Sequence, residues 1–335
     1  MLKYGIIGYG YWGPNLARVF NQAEGSKLVA VADRDEKSRS RAAGLYPNIT
    51  VHADARELIA DPAIDVVAIA TPVSTHFELA QAALKAGKHI VVEKPLCGSS
   101  DDAARLVELA AKVGRQILTD HTFVYTDAVR RIAEMSAGGE LGRILYYDST
   151  RINLGLFQSD VNVIWDLAVH DFAILSRIMP AEPEAISATA VDPMGTATES
   201  LTYITLYYPG NTVAHIHASW LAPVKIRSII VGGDRSMVVY DDLDVAEKIR
   251  IYDKGISIIK DTEIQRQMKV AYRVGDMRAP KLDGREALSF MAQHANESFS
   301  KGVAPITSGE VGLKVVRLLE SAEASARTGG QIVRL

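Results

Sequence analysis

Two patterns of apolar residues divide this chain of 335 residues. Over roughly the first 120 residues, short apolar runs such as VVAIA at 66–70 alternate with segments of helical periodicity. Unbroken apolar runs are typical of parallel strands covered by helices on both faces, and strand–helix alternation predicts right-handed parallel crossovers. We therefore predict an N-terminal α/β domain with a doubly wound parallel sheet. Its strands are predicted at Lys3–Ile7, Lys27–Ala32, Val66–Ala70, His89–Val92 and Gln116–Thr119, with helices near Gly13–Ala23, Ala53–Ala60, Thr75–Ala86 and Asp101–Val113.

The remaining residues alternate between polar and apolar side chains with a period of two. The segments SLTYITLYY and NTVAHIHASW are separated by Pro209 and Gly210, which indicates a hairpin. This pattern predicts a C-terminal α+β domain with a large, mostly antiparallel open sheet. We place the two domains at residues 1–122 and 123–335, and leave open whether the final helix near 309–327 and the strand QIVRL pack back on the first domain.

The overall composition excludes several classes of protein. A net charge of −3 provides no basic field for nucleic acid. The single cysteine, Cys97, cannot form an internal disulfide or a cysteine-based metal cluster, and we expect no metal site. The N-terminus resembles a β-strand more than a signal peptide, and no apolar run approaches the ~18 residues of a membrane helix. These features favour a cytoplasmic protein with no membrane partner.

A glycine-rich turn follows the first predicted strand. The residues GYGYWG at 8–13 match G-x-G-x-x-G between a strand and a helix. Gly8 permits the tight turn, Gly10 lets the backbone approach a pyrophosphate, and Gly13 allows close packing of strand and helix. The following helix N-terminus offers free N–H groups to an anion. In this Rossmann-type loop we expect the cofactor to contact Gly8, Gly10, Tyr11, Trp12 and Gly13.

The residue that follows the second strand indicates which dinucleotide binds. Asp33 lies 20 residues after Gly13, where a carboxylate accepts hydrogen bonds from the adenosine ribose hydroxyls. A carboxylate there repels a 2′-phosphate, so NAD is the expected cofactor. Arg34, which we also place at the cofactor, and Arg39 leave NADP open. A methyltransferase that uses S-adenosylmethionine would also fit the loop and Asp33, so these features alone do not decide the chemistry.

Two further motifs bear on the chemistry. Glu93-Lys94-Pro95 follows the strand at 89–92, at the sheet edge where ligands bind in doubly wound folds. Taken alone, it is more typical of a surface turn. Asp166 and His170 are four residues apart at the start of an amphipathic helix and share one face. Hydride chemistry at an alcohol needs a proton donor or acceptor, and histidine suits that role.

The order of these motifs resembles the Gfo/Idh/MocA family of oxidoreductases. GYGYWG, VADRD, ATPVSTH, EKP and D-x-x-x-H occur in that order, with EKP about 80 residues after the glycine loop and about 70 before D-x-x-x-H. The similarity spans nearly the whole chain, including the ending ESAEASARTGGQIVRL. A methyltransferase has no use for the lysine and the histidine, so the resemblance favours the oxidoreductase.

The resemblance implies roles for individual residues. Lys94 would position substrate and cofactor, His170 would be the acid or base, and Asp166 would bind substrate or assist the histidine. The family often has a cis bond before the proline of EKP, which would shape the turn at Lys94. Positions that would line the nicotinamide side of the cofactor are Thr71, Pro72, His76, Glu93 and Lys94.

Two segments depart from the family's usual pattern. The residues DHTFVY at 120–125 lack the arginines that many members have there, and the stretch before D-x-x-x-H is not rich in glycine. Both segments are expected to line the substrate pocket, so the substrate is not identified. Side chains that could contact sugar hydroxyls, or be ordinary loop residues, are Tyr125, Asn153, Gln158 and Asn162.

The function predicted from these residues is hydride transfer between NAD and a secondary alcohol. The expected substrate is polyhydroxylated: a sugar, nucleotide-sugar, aminosugar or cyclitol. Two alternatives remain: an NAD-dependent glycosidase or eliminase that oxidises its substrate only transiently, and a non-catalytic NAD-binding regulator. Retention of Lys94 and His170 speaks against the regulator. One face of the second sheet could serve as an oligomer interface, so a homodimer or homotetramer is expected.

Overall fold

The chain forms two compact units in the computed structural model. The first comprises residues 1–126 and 285–320, and the second comprises residues 127–284 and 321–335. The boundary after residue 126 lies close to the predicted one at 122. Residues 285–320, which include the first part of the final helix, belong to the first unit, and the final strand belongs to the second. The residues described are 1–155, 161–253, 255–258, 270–273 and 275–335.

Strands and α-helices alternate along the chain up to residue 191, and consecutive strands follow from there. The strands of the described residues are β1 (Leu2–Ile7), β2 (Ser26–Ala32), β3 (Thr50–His52), β4 (Val66–Ile69), β5 (His89–Glu93), β6 (Ile117–Asp120), β7 (Ile144–Leu154), β8 (Ala185–Val191), β9 (Leu201–Tyr208), β10 (Thr212–Ser219), β11 (Leu221–Gly233), β12 (Met237–Asp241), β13 (Ile249–Tyr252), β14 (Gly255–Ile258), β15 (Val270–Arg273), β16 (Met277–Arg278) and β17 (Val333–Arg334). The α-helices of the same residues are α1 (Gly13–Gln22), α2 (Glu36–Leu45), α3 (Ala55–Ala60), α4 (His76–Lys85), α5 (Ser100–Val113), α6 (Asp127–Ala137), α7 (Val169–Ile178), α8 (Ala287–Lys301) and α9 (Gly309–Arg327).

The sheet of the first unit has six parallel strands in the order β3-β2-β1-β4-β5-β6. Strand order reverses between β1 and β4, which is the switch point where doubly wound sheets bind ligands at the carboxyl ends of their strands. All four residues of β4 are buried, as its unbroken apolar sequence predicted. The predicted doubly wound parallel sheet is therefore confirmed.

Local sequence signals determine where α5 begins and ends. The hydroxyl of Ser99 accepts a hydrogen bond from the backbone N–H of Asp102 at 3.2 Å, which caps the first turn. Gly114 has a φ of 63° and closes the last turn in the left-handed conformation. The sequence analysis did not predict α2, α8 or β3.

The second unit contains a nine-stranded sheet in the order β16-β13-β12-β11-β7-β10-β9-β8-β17. All of its pairs are antiparallel except β10 with β7, which confirms a mostly antiparallel sheet. The predicted hairpin joins β9 to β10, pairs Tyr208 with Thr212 and contains Gly210 at a φ of 75°. Burial alternates along both strands, so one face of the sheet lies in the core. None of the helices described is long and apolar enough to cross a membrane.

Candidate functional site

The glycine loop of the first unit fits a dinucleotide. Gly8 has a φ of 89°, and a Cβ there would lie 2.5 Å from the carbonyl oxygen of Ala70. A Cβ on Gly13 would collide with the carbonyl oxygen of Gly8, so both positions require glycine. A Cβ on Gly10 would meet no atom within 4 Å, which leaves space for a phosphate beside the backbone. Tyr11, in the same loop, is 92% exposed.

Asp33 is held at the carboxyl end of β2 by backbone donors. Its Oδ2 accepts the N–H of Tyr9 at 2.5 Å, and its Oδ1 accepts the N–H of Asp35 at 2.8 Å. The residue is half-buried, and each carboxylate oxygen can accept a second hydrogen bond. This arrangement fits the pair of hydroxyls on a ribose, which are hydrogen-bond donors.

The arginines near Asp33 differ in their contacts. Arg34 is exposed. Arg39 donates to the carbonyl oxygens of Asp33 at 2.9 Å and of Arg34 at 2.8 Å, so its guanidinium supports the end of β2. Arg41, which the sequence analysis did not single out, donates to the carbonyl oxygen of Gly10 at 3.1 Å. Arg34 and Arg41 are therefore the exposed arginines of this group, whereas Arg39 is half-buried.

The turn after β5 carries Lys94, and its bond to Pro95 is cis, as the resemblance implied. His76 supports this turn from within: Nδ1 lies 2.9 Å from the carbonyl oxygen of Pro95, and Nε2 lies 2.8 Å from that of Thr71. His76 is fully buried, and burial lowers its pKa. His76 therefore connects the loop after β4 to the turn after β5. Pro72, in the loop after β4, is exposed. The contacts of His76 favour a supporting role over a direct cofactor contact.

A pair of carboxyl groups adjoins Lys94 at the same sheet edge. Glu93 and Asp120 are register partners on β5 and β6, and the charge of Asp120 raises the pKa of Glu93. Asp120 also accepts the indole N–H of Trp12 at 2.9 Å and the hydroxyl of Thr122 at 2.6 Å. Trp12 thus contacts β6 through its side chain in addition to belonging to the glycine loop.

Burial shifts the ionisation of three groups around Lys94. The pKa of Glu93 is raised well above its usual value by burial and by the charge of Asp120, against the opposing effect of Lys94. Burial also raises the pKa of Asp120. The pKa of His121 falls to about 3 because the ring is buried and faces the charge of Lys94. His121 is therefore uncharged near neutral pH, and burial favours the protonated form of Glu93. The sequence analysis placed Asp120 and His121 in a segment expected to line the substrate pocket and gave neither residue a role of its own.

In the second unit, Asp166 lies in a π-helix, Ile164–Ala168, that runs directly into α7. Its Oδ2 accepts the indole N–H of Trp220 at 3.0 Å. Gly155 makes room for that indole, since a Cβ there would collide with the ring. Single π-helical turns occur frequently at functional sites. His170 follows in the first turn of α7, and both Asp166 and His170 are half-buried.

Asp171 anchors this helix to β7. Its carboxylate accepts the hydroxyls of Ser149 and of Tyr147, the latter at 3.3 Å, and the Nε–H of Arg151 at 2.9 Å. Asp171 has no exposed surface, and Arg151 is only 4% exposed. The contact fixes the backbone on the C-terminal side of His170. Sequence reasoning missed Asp171, although it directly follows the histidine.

Asn162, a predicted substrate contact, has structural partners. Its Oδ1 accepts the backbone N–H groups of Ile164 at 3.1 Å and Trp165 at 3.3 Å, so it caps the start of the π-helix. Its Nδ2 donates to Glu199 at 3.2 Å. The residue is 8% exposed. These contacts favour a role in positioning the helix over direct recognition of a sugar.

The other three predicted substrate contacts differ in placement. Tyr125 is 1% exposed, and its hydroxyl lies 2.8 Å from that of Thr307, which also favours a structural role. Asn153 is half-buried on β7, two residues beyond Arg151 and on the same strand face. It therefore lies on the face of β7 that contacts α7. Gln158 falls outside the described residues.

Comparison with known families matches both regions of the chain. Residues 2–121 match a family described as "Oxidoreductase family, NAD-binding Rossmann fold". Residues 129–239 match the GFO/IDH/MocA C-terminal domain. The two matches together span most of the chain.

Individual relatives are oxidoreductases and dehydrogenases. The chain is 30% identical to the oxidoreductase YdgJ of Escherichia coli over 262 residues, which are 74% of this chain and 73% of that protein. It is 28% identical to the NAD⁺-dependent scyllo-inositol 2-dehydrogenase of Bacillus subtilis over 71% of this chain and 72% of that protein. The structure of the UDP-N-acetylglucosamine 3-dehydrogenase GnnA from Acidithiobacillus ferrooxidans aligns over 98% of both chains, with a TM-score of 0.83 and 22% identity.

Proposed function

The chain belongs to the Gfo/Idh/MocA family of oxidoreductases, and we propose that it is an NAD-dependent dehydrogenase or ketoreductase acting on a secondary alcohol of a polyhydroxylated substrate. The substrate class is a sugar, nucleotide-sugar, aminosugar or cyclitol. Relatives that act on inositol and on a UDP-sugar support this class. The observation that carries the proposal is the position of Lys94 at the same sheet edge as a glycine loop fitted to a dinucleotide.

The residues of the first unit fit NAD. The space beside Gly10 and the N-terminus of α1 suit the pyrophosphate, and Asp33 suits the ribose hydroxyls. Arg34 and Arg41, which are both exposed, are the residues that could admit a 2′-phosphate. When bound, NAD supplies the hydride acceptor, so the protein has only to orient the alcohol and manage one proton.

Lys94 would stabilise negative charge on the alcohol oxygen. A cation placed where charge develops is among the strongest contributions a side chain makes to a transition state. Asp120 supplies a carboxyl group near Lys94, His121 is uncharged near neutral pH, and burial favours the protonated form of Glu93. Lys94 is therefore the cation of this cluster.

His170 would exchange the proton of the alcohol. His121 is not suited to be the base, because a pKa of about 3 makes it too weak a base near neutral pH. Asp166 would contact substrate or assist the imidazole, with its carboxylate already held by Trp220. Asn153, on the strand face that contacts α7, would contact substrate hydroxyls.

A homodimer or homotetramer is part of the proposal. The sheet of the second unit displays Tyr203, which is 45% exposed and stacks on His217 with 4.5 Å between ring centroids. Partly exposed aromatic residues on a sheet face are typical of protein interfaces. Light scattering coupled to size-exclusion chromatography would give the mass, and a monomer would contradict this part.

A substrate screen tests the function. Inositols, aminosugars and UDP-sugars would be incubated with wild-type protein and NAD, and NADH formation would be followed by absorbance. We expect one of these substrate classes to be oxidised, with one NADH formed for each substrate molecule oxidised. Product formation with NAD returned unchanged would indicate the glycosidase or eliminase, and NAD binding without turnover of any class would indicate the regulator.

Lys94→Ala tests the proposed role of the lysine in turnover. We expect NAD affinity to be retained and turnover to fall by roughly 10²–10³-fold, because the positioned cation is lost. Lys85→Ala removes an exposed lysine from the same unit and serves as the control. Near-normal turnover in folded Lys94→Ala would show that Lys94 is a surface turn residue with no part in the reaction.

A further inference from the structure

The carboxyl groups of Glu93 and Asp120 are not equivalent in their surroundings. Both oxygens of Asp120 accept hydrogen bonds from donors other than Glu93, namely Thr122 at Oδ1 and Trp12 at Oδ2. The Oε2 of Glu93 is buried and has no hydrogen-bond partner among the residues that the structure describes. Donors stabilise an ionised carboxylate, so the surroundings favour charge on Asp120 and a neutral acid at Glu93.

Two ionised carboxylates in contact are unfavourable away from water, because like charges repel and both lose solvation. A single proton between them removes the repulsion and allows a hydrogen bond between the two groups. The titratable groups that face the pair are Lys94, the next residue after Glu93, and His121, the next residue after Asp120. Trp12 and Thr122 complete its surroundings as neutral donors.

We propose that Glu93 and Asp120 share one proton, carried by Glu93, so that the pair presents a single negative charge that positions Lys94 as a cation. This inference rests on the proposed function, because it assigns Glu93 and Asp120 as positioning residues that act through Lys94. It replaces the earlier expectation that Glu93 contacts the cofactor. In this proposal, Trp12 of the glycine loop also donates a hydrogen bond to Asp120, the charged member of the pair.

Infrared spectroscopy tests the shared proton without any turnover. A protonated carboxyl group has a C=O stretching band that carboxylates lack. In protein without added ligand at neutral pH, we expect this band in wild type and its loss in Glu93→Gln. Glu78→Gln, which removes an exposed carboxylate from α4, is the matched control and should retain the band. Absence of the band from wild type, or its persistence in Glu93→Gln, would overturn the proposal.

Kinetics test the positioning role. Glu93→Gln keeps a neutral group that can donate to Asp120, so its loss of kcat should be smaller than that of Asp120→Asn. Asp120→Asn removes the negative charge, and we expect kcat to fall by roughly 10–100-fold with little change in KM. We also expect activity in Asp120→Asn to decline at a lower alkaline pH than in wild type, an effect that a packing defect alone would not produce. Equal losses in both variants would contradict the assignment of the proton to Glu93.

A second variant covers the case in which Asp120→Asn does not fold. Thr122→Val removes one donor to Asp120 and keeps the carboxylate, so a smaller loss of kcat in the same direction is expected. Unchanged kcat and an unchanged pH profile in Thr122→Val would count against charge on Asp120. The proposed role of Lys94 and the shared proton can be refuted separately. Normal turnover in Lys94→Ala would refute the proposed role of the lysine while leaving the infrared result intact, and a missing acid band would refute only the shared proton.

Discussion

The two units hold their candidate functional residues in different ways. In the first unit, the glycine loop and Lys94 follow β1 and β5, two parallel strands on either side of β4, so backbone conformation places both at the carboxyl ends of one sheet. In the second unit, distant side chains hold the region around His170. Trp220 reaches Asp166 across 54 residues of sequence, and Asp171 is bound by Arg151 from 20 residues away.

The difference determines what a substitution should do. At the sheet edge, side chains such as Lys94 are placed by the strand that precedes them, so their removal should change chemistry more than stability. Around α7, the carboxylate of Asp171 is wholly buried, and losing its partner would leave an uncompensated charge. Substitutions there should change stability as well as chemistry, unless they spare the anchoring contacts.

His170→Asn should show the largest effect on rate. Removing a general base typically costs ~10²–10⁴-fold in kcat, about 3–5 kcal/mol. The wild-type oxidation rate should rise with pH as the base loses its proton, and this dependence should vanish in the variant. NAD affinity and melting temperature should stay near wild type, because the anchor at Asp171 is intact. An unchanged rate and pH profile would place the base elsewhere.

Arg151→Met should show the largest effect on stability. Breaking a buried ion pair by removing one partner costs about 3–5 kcal/mol, because Asp171 would be left charged and buried. Arg105→Met in the first unit breaks an exposed pair with Asp102 and should cost less than about 1 kcal/mol. Urea unfolding of both variants measures the contrast. Equal small losses would show that the anchor of α7 does not depend on this pair.

Glu93→Gln should alter the pH dependence of stability. Burial and Asp120 raise the pKa of Glu93, so the folded chain keeps a proton that the unfolded chain releases above the ordinary glutamate pKa. Wild-type stability should therefore fall as pH rises from that value towards the folded pKa, by up to about 1.4 kcal/mol per pH unit for one proton. The variant should lack this slope, so its free energy of unfolding relative to wild type should grow with pH. Parallel pH profiles for the two proteins would contradict a raised pKa at Glu93.

Asp33→Asn should show the smallest effect. Wild type should bind NAD more tightly than NADP, because the carboxylate accepts from ribose hydroxyls and repels a 2′-phosphate. The variant removes that repulsion and keeps an acceptor, so the preference should narrow by about tenfold, or about 1.4 kcal/mol. Calorimetric titration with both cofactors measures the ratio. Equal affinities in wild type would show that Arg34 or Arg41 outweighs Asp33.

Sequence patterns were sufficient for the parts that depend on local periodicity. The unbroken run in β4 and the hairpin at Gly210 each carry a signal within a few residues, and both predictions were confirmed. The helix α2 buries only Ala42, so it lacks an apolar stripe that a pattern could reveal. The buried positions of α8 do follow helical spacing, but this signal was overlooked.

The missed parts of the candidate site depend on contacts between distant residues. Nothing in the residues around Trp220 indicates that its indole binds Asp166, and the pairing of Glu93 with Asp120 follows only from the register of β5 and β6. Tyr125 and Asn162 show the converse, because their polar groups suggested substrate contacts while each has structural partners. Residue type predicts what a side chain can do, and tertiary structure determines which partner it has.

Isotope transfer from the substrate tests the proposed chemistry most directly. The first alcohol that reduces NAD in the screen would be prepared with deuterium on its carbinol carbon and incubated with wild-type protein. Direct hydride transfer predicts that the deuterium moves to the nicotinamide ring of NADH, at one equivalent per molecule of ketone formed. Deuterium that is retained in the product or lost to water, with no net reduction of NAD, would contradict the dehydrogenase and favour transient oxidation.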